Sequence, residues 1–136
     1  MARAEAWRRR VLTLEAMGWL CLARGLVTLA PLRLWRGRLG LAGGAGAPFL
    51  DRAARLARHV ERAAARLPFP SKCLPQAMAL SWMLRRRRIA HALIFAVRPP
   101  QLRGFTEGLH AWVEVAGKCL IGDLPGPWIV SLRLGA

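Results

Sequence analysis

The sequence has no tyrosine and few acidic residues. Its 136 residues include 22 basic side chains, 20 of them arginine, against 7 acidic ones, which gives a net charge of +15. This excess indicates an anionic partner such as nucleic acid, an anionic membrane surface or an acidic polypeptide, unless the arginines only coat solvated helix faces. No basic stretch is interleaved with aromatic residues at a spacing that suits base stacking, so the sequence does not support nucleic-acid binding.

Paired cysteines and long uncharged runs are also missing. The three cysteines, Cys21, Cys73 and Cys119, include no CxxC pair, which argues against a disulfide scaffold and indicates a reducing compartment, the cytoplasm. The apolar N-terminal stretch has only eight uncharged residues between Glu15 and Arg24. A bilayer span needs roughly 20. We expect a cytoplasmic protein, and its apolar, tryptophan-bearing composition leaves peripheral contact with the inner membrane surface open.

Hydrophobic residues make up 54% of the chain, far above the composition of disordered proteins. The length suits one domain over residues 1–136, with a helical part over 1–67 and a further helix plus sheet over 68–136. Helices are predicted over residues 5 to 29, in a short stretch after Pro31, and from a capping Asp51 to about Leu67. His59, inside the third helix, is expected to be partly exposed.

Each long helix of this part has an apolar stripe. In the first helix it consists of Trp7, Val11, Leu14, Gly18, Leu22 and Leu29. In the third helix the predicted core face consists of Leu50, Ala54, Leu56, Ala57, Val60, Ala64 and Leu67.

A fourth helix is predicted over residues 74 to about 87, directly after Cys73. Pro75 suits its first turn, where a missing N–H costs nothing. A thiol at a helix N-terminus faces unpaired N–H groups and the positive end of the helix dipole, which favour the reactive thiolate. The alternative is a buried, inert cysteine.

The remaining chain predicts short strands. The segments "HALIFAV", "LHAWVEV", "KCLIGD" and "WIVSLRL" are separated by turn-forming Gly and Pro. The predicted fold class is therefore α+β, with N-terminal helices followed by the Cys73 helix and a small antiparallel sheet.

The second and third strands form a hairpin whose turn is predicted at Ala116-Gly117. A two-residue turn pairs Val115 with Lys118, and counting outward places Trp112 opposite Ile121 and His110 opposite Asp123. A longer loop with a bulge would shift this count by one. In the two-residue register the carboxylate would accept a hydrogen bond from the imidazole. Thiol, base and acid are the three parts of a Cys-His-Asp nucleophilic site.

The stretch from Cys73 to Asp123, with "CLPQAMALSWMLRRR" and "HAWVEVAGKCLIGD", resembles the transglutaminase-like leader peptidases of lasso-peptide biosynthesis, the B proteins. Their motif is a Cys at a helix start, His-Ala-Trp on a strand and an Asp on the next. It maps onto Cys73, His110 with the two residues that follow it, and Asp123. Many relatives carry a glycine after the arginine-rich helix end, where this chain has Arg88.

The resemblance implies a single transglutaminase-like, papain-like cysteine peptidase domain in its discrete form, because the first 72 residues lack the strand pattern of a fused winged-helix leader-recognition domain. It also implies a precursor peptide as substrate and a separate winged-helix-like leader-binding protein. An ATP-dependent cyclase that forms the macrolactam, and a preference for threonine at the next-to-last leader position, complete this expectation. No cofactor and no metal are expected.

The predicted mechanism is acyl transfer to the Cys73 sulfur. His110 protonates the departing amine, water hydrolyses the thioester, and Asp123 orients the imidazole. The Cys73 backbone N–H is the first oxyanion donor, with Gln76 and Trp112 as candidates for the second.

Other residues offer rival sites. Cys119, expected to pair with Glu114, is a second thiol without a helix terminus. His91 would serve as base only if the hairpin register were wrong, and is otherwise a structural histidine. A zinc site from Cys73, His110 and Cys119 lacks the short-spaced ligand pairs of structural zinc.

Two further functions stay open. The same triad would make a transamidase if an amine replaced water, and a non-enzymatic basic module would use its arginines and apolar helices on a membrane or partner. We also expect Arg85, Arg86, Arg87 and Arg88, with the first helices, to contact a partner protein, acidic leader segments or the membrane surface.

Overall fold

The computed structural model describes residues 2–43, 46–68, 73–97, 109–121 and 128–135. Its helices are α1 (Ala2–Leu29), α2 (Leu32–Trp35), α3 (Leu50–Arg66) and α4 (Cys73–Arg86), with single 3-10 turns at Arg36–Arg38 and Ala47–Phe49. The strands are β1 (Ala92–Val97), β2 (Leu109–Val115), β3 (Lys118–Ile121) and β4 (Ile129–Gly135). They form an antiparallel sheet in the order β3-β2-β1-β4. The predicted α+β fold class, helices before an antiparallel sheet, is confirmed.

Helix α4 lies at the centre of the fold. Its residues from Ala77 to Leu84 are all buried, as expected for a helix that is apolar on every side. It packs against α1 and α3 on one side and against β1 and β2 on the other. The helix that begins with Cys73 is therefore a rigid support.

Helix α1 packs through a different face from its apolar stripe. The buried residues are Thr13, Ala16, Leu20 and Ala23, on the side of α1 that packs against α3 and α4. The stripe is left outside, with Leu14 63% and Leu29 87% exposed. By length and composition alone α1 could cross a membrane, a criterion that core helices and signal sequences also meet.

Helix α3 corrects two predictions. Its N-cap position is Phe49, with no side-chain cap bond, so Asp51 lies inside the first turn and does not cap the helix. His59 is only 8% exposed, not partly exposed as expected, because its Nδ1 meets the Thr13 hydroxyl of α1 at 3.2 Å. The buried face is Ala53, Leu56, Ala57, His59, Val60 and Ala63.

The β2–β3 hairpin confirms the predicted turn and corrects part of the register. Ala116 and Gly117 both have positive φ, 51° and 78°, as a two-residue type I′ turn requires. Cys119 pairs with Glu114 as predicted.

Beyond that pair an irregularity places Ile121 opposite Val113, so the predicted pairing of Ile121 with Trp112 is wrong. Leu120 and Ile121 are both buried. A regular strand cannot send two consecutive side chains to one face, and the bulge removes that conflict.

Candidate functional site

Cys73 is the first residue of α4 and is half-buried. The sequence predicted this position. The first N–H groups of a helix have no partner within the helix, so the sulfur lies beside unpaired donors at the positive end of a long, buried helix. This is the position in which the sequence predicted the nucleophilic thiol.

A tight connection turns the chain from α4 back into the sheet. The Ile89 N–H donates to the Leu84 carbonyl at 3.0 Å and the Arg88 N–H to the Arg85 carbonyl at 3.1 Å, which is a Schellman motif. Arg88 takes the left-handed position of that motif, with φ 54°. The arginine thus occupies a backbone conformation that usually belongs to glycine.

The connection joins α4 to β1, and α4 packs against both β1 and β2. Ser81, in the second half of α4, contacts His91 just before β1. Cys73 begins α4, and His110 of β2 lies opposite Ala96, near the far end of β1. Both residues are therefore at the ends of their elements that point away from the Ser81–His91 contact.

His110 is buried, with 3% of its surface exposed. The Trp128 ring stacks on its imidazole with 5.0 Å between centroids, and the Trp112 ring lies at 5.9 Å. Rings on its faces restrict the orientation of the imidazole and exclude water from it. This environment suits a base that must keep one orientation.

The face of the sheet that carries His110 is not the face that joins the helical core. Ala111, Val113 and Val115 belong to that core, and His110 and Trp112 alternate with them along β2. Contact with the Cys73 sulfur must therefore be made around the end of the sheet where β2 begins. That contact stays a prediction.

Trp128 is a site residue that sequence reasoning missed. Ile129, the next residue, pairs with Val97 of β1, and Val97 also pairs with Leu109 beside His110. The indole reaches the imidazole because β4 lies beside β1 and not beside β3. No local pattern in the sequence signals that order.

Asp123 lies outside the described residues, but the count that paired it with His110 assumed a regular hairpin, and the shift between Val113 and Glu114 breaks that count. The last described residue of β3 is Ile121. The role of Asp123 as the orienting acid therefore stays a prediction.

A model of the transglutaminase-like superfamily matches residues 16–128, most of the chain. The chain belongs to the transglutaminase-like superfamily. The match begins in α1 and ends at Trp128, so it includes Cys73, His110 and Asp123. The superfamily is generally of cysteine-peptidase or transglutaminase type. Searches of curated proteins and of solved structures found no match.

Of the three candidate oxyanion donors in this transglutaminase-like domain, two are compatible with the structure and one is not. The Cys73 N–H lies in the unpaired first turn of α4, and the half-buried Gln76, three residues on, shares its helix face. The Trp112 indole N–H already donates to Glu114 Oε2 at 2.8 Å. An indole has a single donor. Trp112 is therefore not retained as an oxyanion donor.

His91 is a structural residue of the domain, as the sequence indicated. Its Nδ1–H donates to the Ile89 carbonyl at 2.8 Å, and its Nε2 lies 2.7 Å from the Ser81 hydroxyl, which also accepts the Gly40 N–H at 2.8 Å. Burial lowers the pKa of His91, and the nearby Arg85 charge lowers it further against the opposing carbonyl bond. Although Ser81 and His91 resemble a nucleophile–base pair, both are almost fully buried, so substrate cannot reach them.

The other thiols and a metal site gain no support. Cys119 is half-buried and its Sγ lies 3.5 Å from the Ile121 carbonyl, while Cys21 is exposed on α1. In the described ranges no group of three or more His, Cys, Asp or Glu side chains could hold a metal ion.

The four consecutive arginines divide into two pairs. Arg85 donates to the Gly40 carbonyl at 2.7 Å, and Arg87 forms a two-pronged ion pair with Glu15 of α1 at 2.9 and 3.1 Å. These two hold the fold together. Arg86 and Arg88 are exposed, although Arg86 also approaches Glu15 at 3.3 Å. Of the four, Arg86 and Arg88 are the ones exposed to a partner.

Proposed function

We propose that this protein is a cysteine peptidase that removes the leader from a ribosomally made lasso-peptide precursor, using Cys73, His110 and Asp123. One observation carries the proposal. A thiol begins a buried helix, and an imidazole buried against Trp128 lies on β2, a strand that this helix packs against, in a transglutaminase-like domain. That placement supports thiol chemistry on a carbonyl substrate.

The proposed reaction has two halves. The Cys73 thiolate attacks the carbonyl carbon at the junction of leader and core, and the protonated His110 gives its proton to the departing core amine as the C–N bond breaks. Water then attacks the thioester, loses a proton to His110 and releases the leader carboxylate with the thiol. Asp123 stabilises the imidazolium, and the Cys73 N–H stabilises the oxyanion.

The proposed partners follow from the same function. A separate leader-binding protein of winged-helix type would deliver the precursor, and an ATP-dependent cyclase would close the macrolactam on the released core. The exposed Arg86 and Arg88 lie at the end of α4 opposite Cys73, where a delivery protein could bind without covering the thiol.

Mass spectrometry of a purified mixture tests the peptidase. Precursor, leader-binding protein and this chain should yield free leader and core, with hydrolysis adding the mass of one water. Cys73→Ala and His110→Ala should abolish release, while Cys21→Ala, which removes an exposed thiol on α1, should leave it unchanged. Leader release by the Cys73→Ala variant would contradict the proposal.

The same experiment separates a transamidase, which the superfamily also includes. If the thiol attacked a glutamine side-chain carboxamide and released ammonia, and an amine replaced water in the second half, the product would have lost ammonia and gained the amine. A product of that mass would show that the same triad catalyses transamidation and not hydrolysis.

A peripheral position on the inner membrane surface is favoured by one observation. Trp7, Leu14 and Leu29 of α1 are 66%, 63% and 87% exposed, beside arginines of the same helix. Such a face suits the interface of an anionic bilayer. Anionic vesicles should sediment the wild type and less of a Leu14→Glu variant, and equal sedimentation would contradict this position.

The non-enzymatic alternative is tested by the Cys73→Ala variant. If that variant retained the cellular function, the protein would be a non-enzymatic module and not a peptidase.

A further inference from the structure

A basic groove lies between α1 and α3, with a volume of about 740 Å³. Its basic lining consists of Arg8 and Arg9 from α1, Arg52, Arg55, Arg58 and Arg62 from α3, and Arg87. Leu12 and Leu56 add an apolar part, and Glu5 and His59 complete the lining. The lining of the groove therefore combines arginine side chains with two leucines.

Most of this charge is not neutralised within the fold. Arg58 pairs with Glu61 at 2.7 Å and Arg87 with Glu15 at 2.9 Å. In the part of the chain that the structure describes, Arg8, Arg9, Arg52, Arg55 and Arg62 form no ion pair or side-chain hydrogen bond. Like charges held in a concave surface repel one another, and a bound anion relieves that repulsion.

His59 responds to the arginines of the groove. Burial lowers the pKa of His59, and the charges of Arg62 and Arg9 lower it further. Its Nδ1 is held by the Thr13 hydroxyl at 3.2 Å, so the ring is fixed where the groove's potential acts on it. A ligand that brought negative charge into the groove would change this environment.

We propose that this groove binds an acidic polypeptide segment that carries apolar side chains between its carboxylates. Glutamates and aspartates would pair with the unpaired arginines, and the apolar side chains would lie on Leu12 and Leu56. Among the described residues of the lining there is no tyrosine, phenylalanine or tryptophan on which bases would stack. A concave groove also fits a peptide better than the plane of a membrane.

The groove is distant from the proposed site. Arg87 follows the last residue of α4, and Cys73 is the first, so they lie roughly 20 Å apart along the helix at 1.5 Å per residue. About six extended residues would be needed to join an occupant of the groove to a chain at the thiol. The groove is therefore a docking site whose binding does not depend on the proposed peptidase.

Fluorescence anisotropy with a labelled peptide of alternating glutamate and leucine tests this docking site. The Arg8→Glu/Arg55→Glu variant should bind the peptide about tenfold or more weakly than the parent at physiological salt. The matched control is Arg3→Glu/Arg10→Glu, which makes the same charge change on α1 outside the groove and should change binding far less. All proteins carry Cys73→Ala, so docking and cleavage are separate results.

An equal loss in both double variants would overturn the proposal, because the peptide would then sense only net charge. Tighter binding of an oligonucleotide of equal charge would overturn it as well. If the groove variant does not fold, NMR of the Cys73→Ala parent decides. The His59 ring signals should shift when the peptide is added while those of the buried His91 do not, and an unchanged His59 signal overturns the proposal.

Discussion

At the scale of single residues, Arg88 holds a backbone conformation that costs energy. Its φ of 54° is left-handed, and a side chain with a Cβ is disfavoured there by about 1 kcal/mol or more. We expect Arg88→Gly to raise the free energy of unfolding in urea by about 1 kcal/mol. Arg86→Gly is the control, since glycine at a helical residue should lower it by up to about 1 kcal/mol. A less stable Arg88→Gly would refute the strain.

The buried histidines predict how stability depends on pH. The folded-state pKa values of His91 and His59 are lowered, chiefly by burial. Below the ordinary histidine pKa of about 6.5 the unfolded chain binds protons that the folded chain refuses. We therefore expect the histidine contribution to the free energy of unfolding to be complete above about pH 6.5. This contribution should be lost as the pH falls from there towards the lowered pKa values of the folded state. Urea midpoints between neutral and mildly acidic pH measure this, and a constant midpoint would contradict it.

At the scale of elements, the ion pair between Glu15 and Arg87 joins α1 to α4. Burial alone would raise the pKa of Glu15, but the hydrogen bond and charge of Arg87, with the Trp19 hydrogen bond and the Arg86 charge, hold the pKa below its ordinary value. Only 15% of the glutamate and 17% of the arginine side chain are exposed. The pair therefore stabilises the fold above the ordinary glutamate pKa and is lost as pH falls through the lowered one.

Glu15→Gln should consequently cost about 2 kcal/mol of unfolding free energy, because it leaves a part-buried arginine without its carboxylate. The matched control is Glu61→Gln, which breaks the exposed Arg58 pair and should cost about 0.5 kcal/mol or less. Equal losses of unfolding free energy in the two variants would show that the part-buried Glu15–Arg87 pair stabilises the fold no more than the exposed pair does.

Elements with a strong local signal were predicted well, and their faces less well. The start of α4 at Cys73 follows from the proline in its first turn. The turn at Ala116-Gly117 follows from a glycine that accepts positive φ. The packed face of α1 does not follow from its largest apolar residues. Ala16 and Ala23 are buried because they lie on the side of α1 that packs against α3 and α4, which is decided by tertiary packing.

Buried polar contacts between distant elements were also beyond the sequence. His59 is buried because Thr13, 46 residues away, lies against it. The bulge at Leu120 is a similar case, since it lets Leu120 and Ile121 both enter the core. A pattern read along one strand assumes a regular register and misses such a compromise.

At the scale of the whole molecule, the sheet order decides the surroundings of the proposed base. A simple meander would have placed β4 beside β3, but it lies beside β1, and this brings Trp128 onto His110. The residue types of the candidate site were thus readable from the sequence, whereas the aromatic cover of the base depended on a long-range pairing. The superfamily match extends from α1 to Trp128 and so covers the positions of the motif.

The central claim is that His110 activates the Cys73 thiol, and the rate of alkylation by iodoacetamide tests it without a substrate. Peptide mapping after brief treatment at mildly acidic pH compares the half-buried Cys73 and Cys119 with the exposed Cys21 in one sample. We predict that Cys73 is modified at least about tenfold faster than Cys21, and that His110→Ala removes this advantage. Fastest modification of Cys21, or a Cys73 rate that His110→Ala leaves unchanged, would contradict the account.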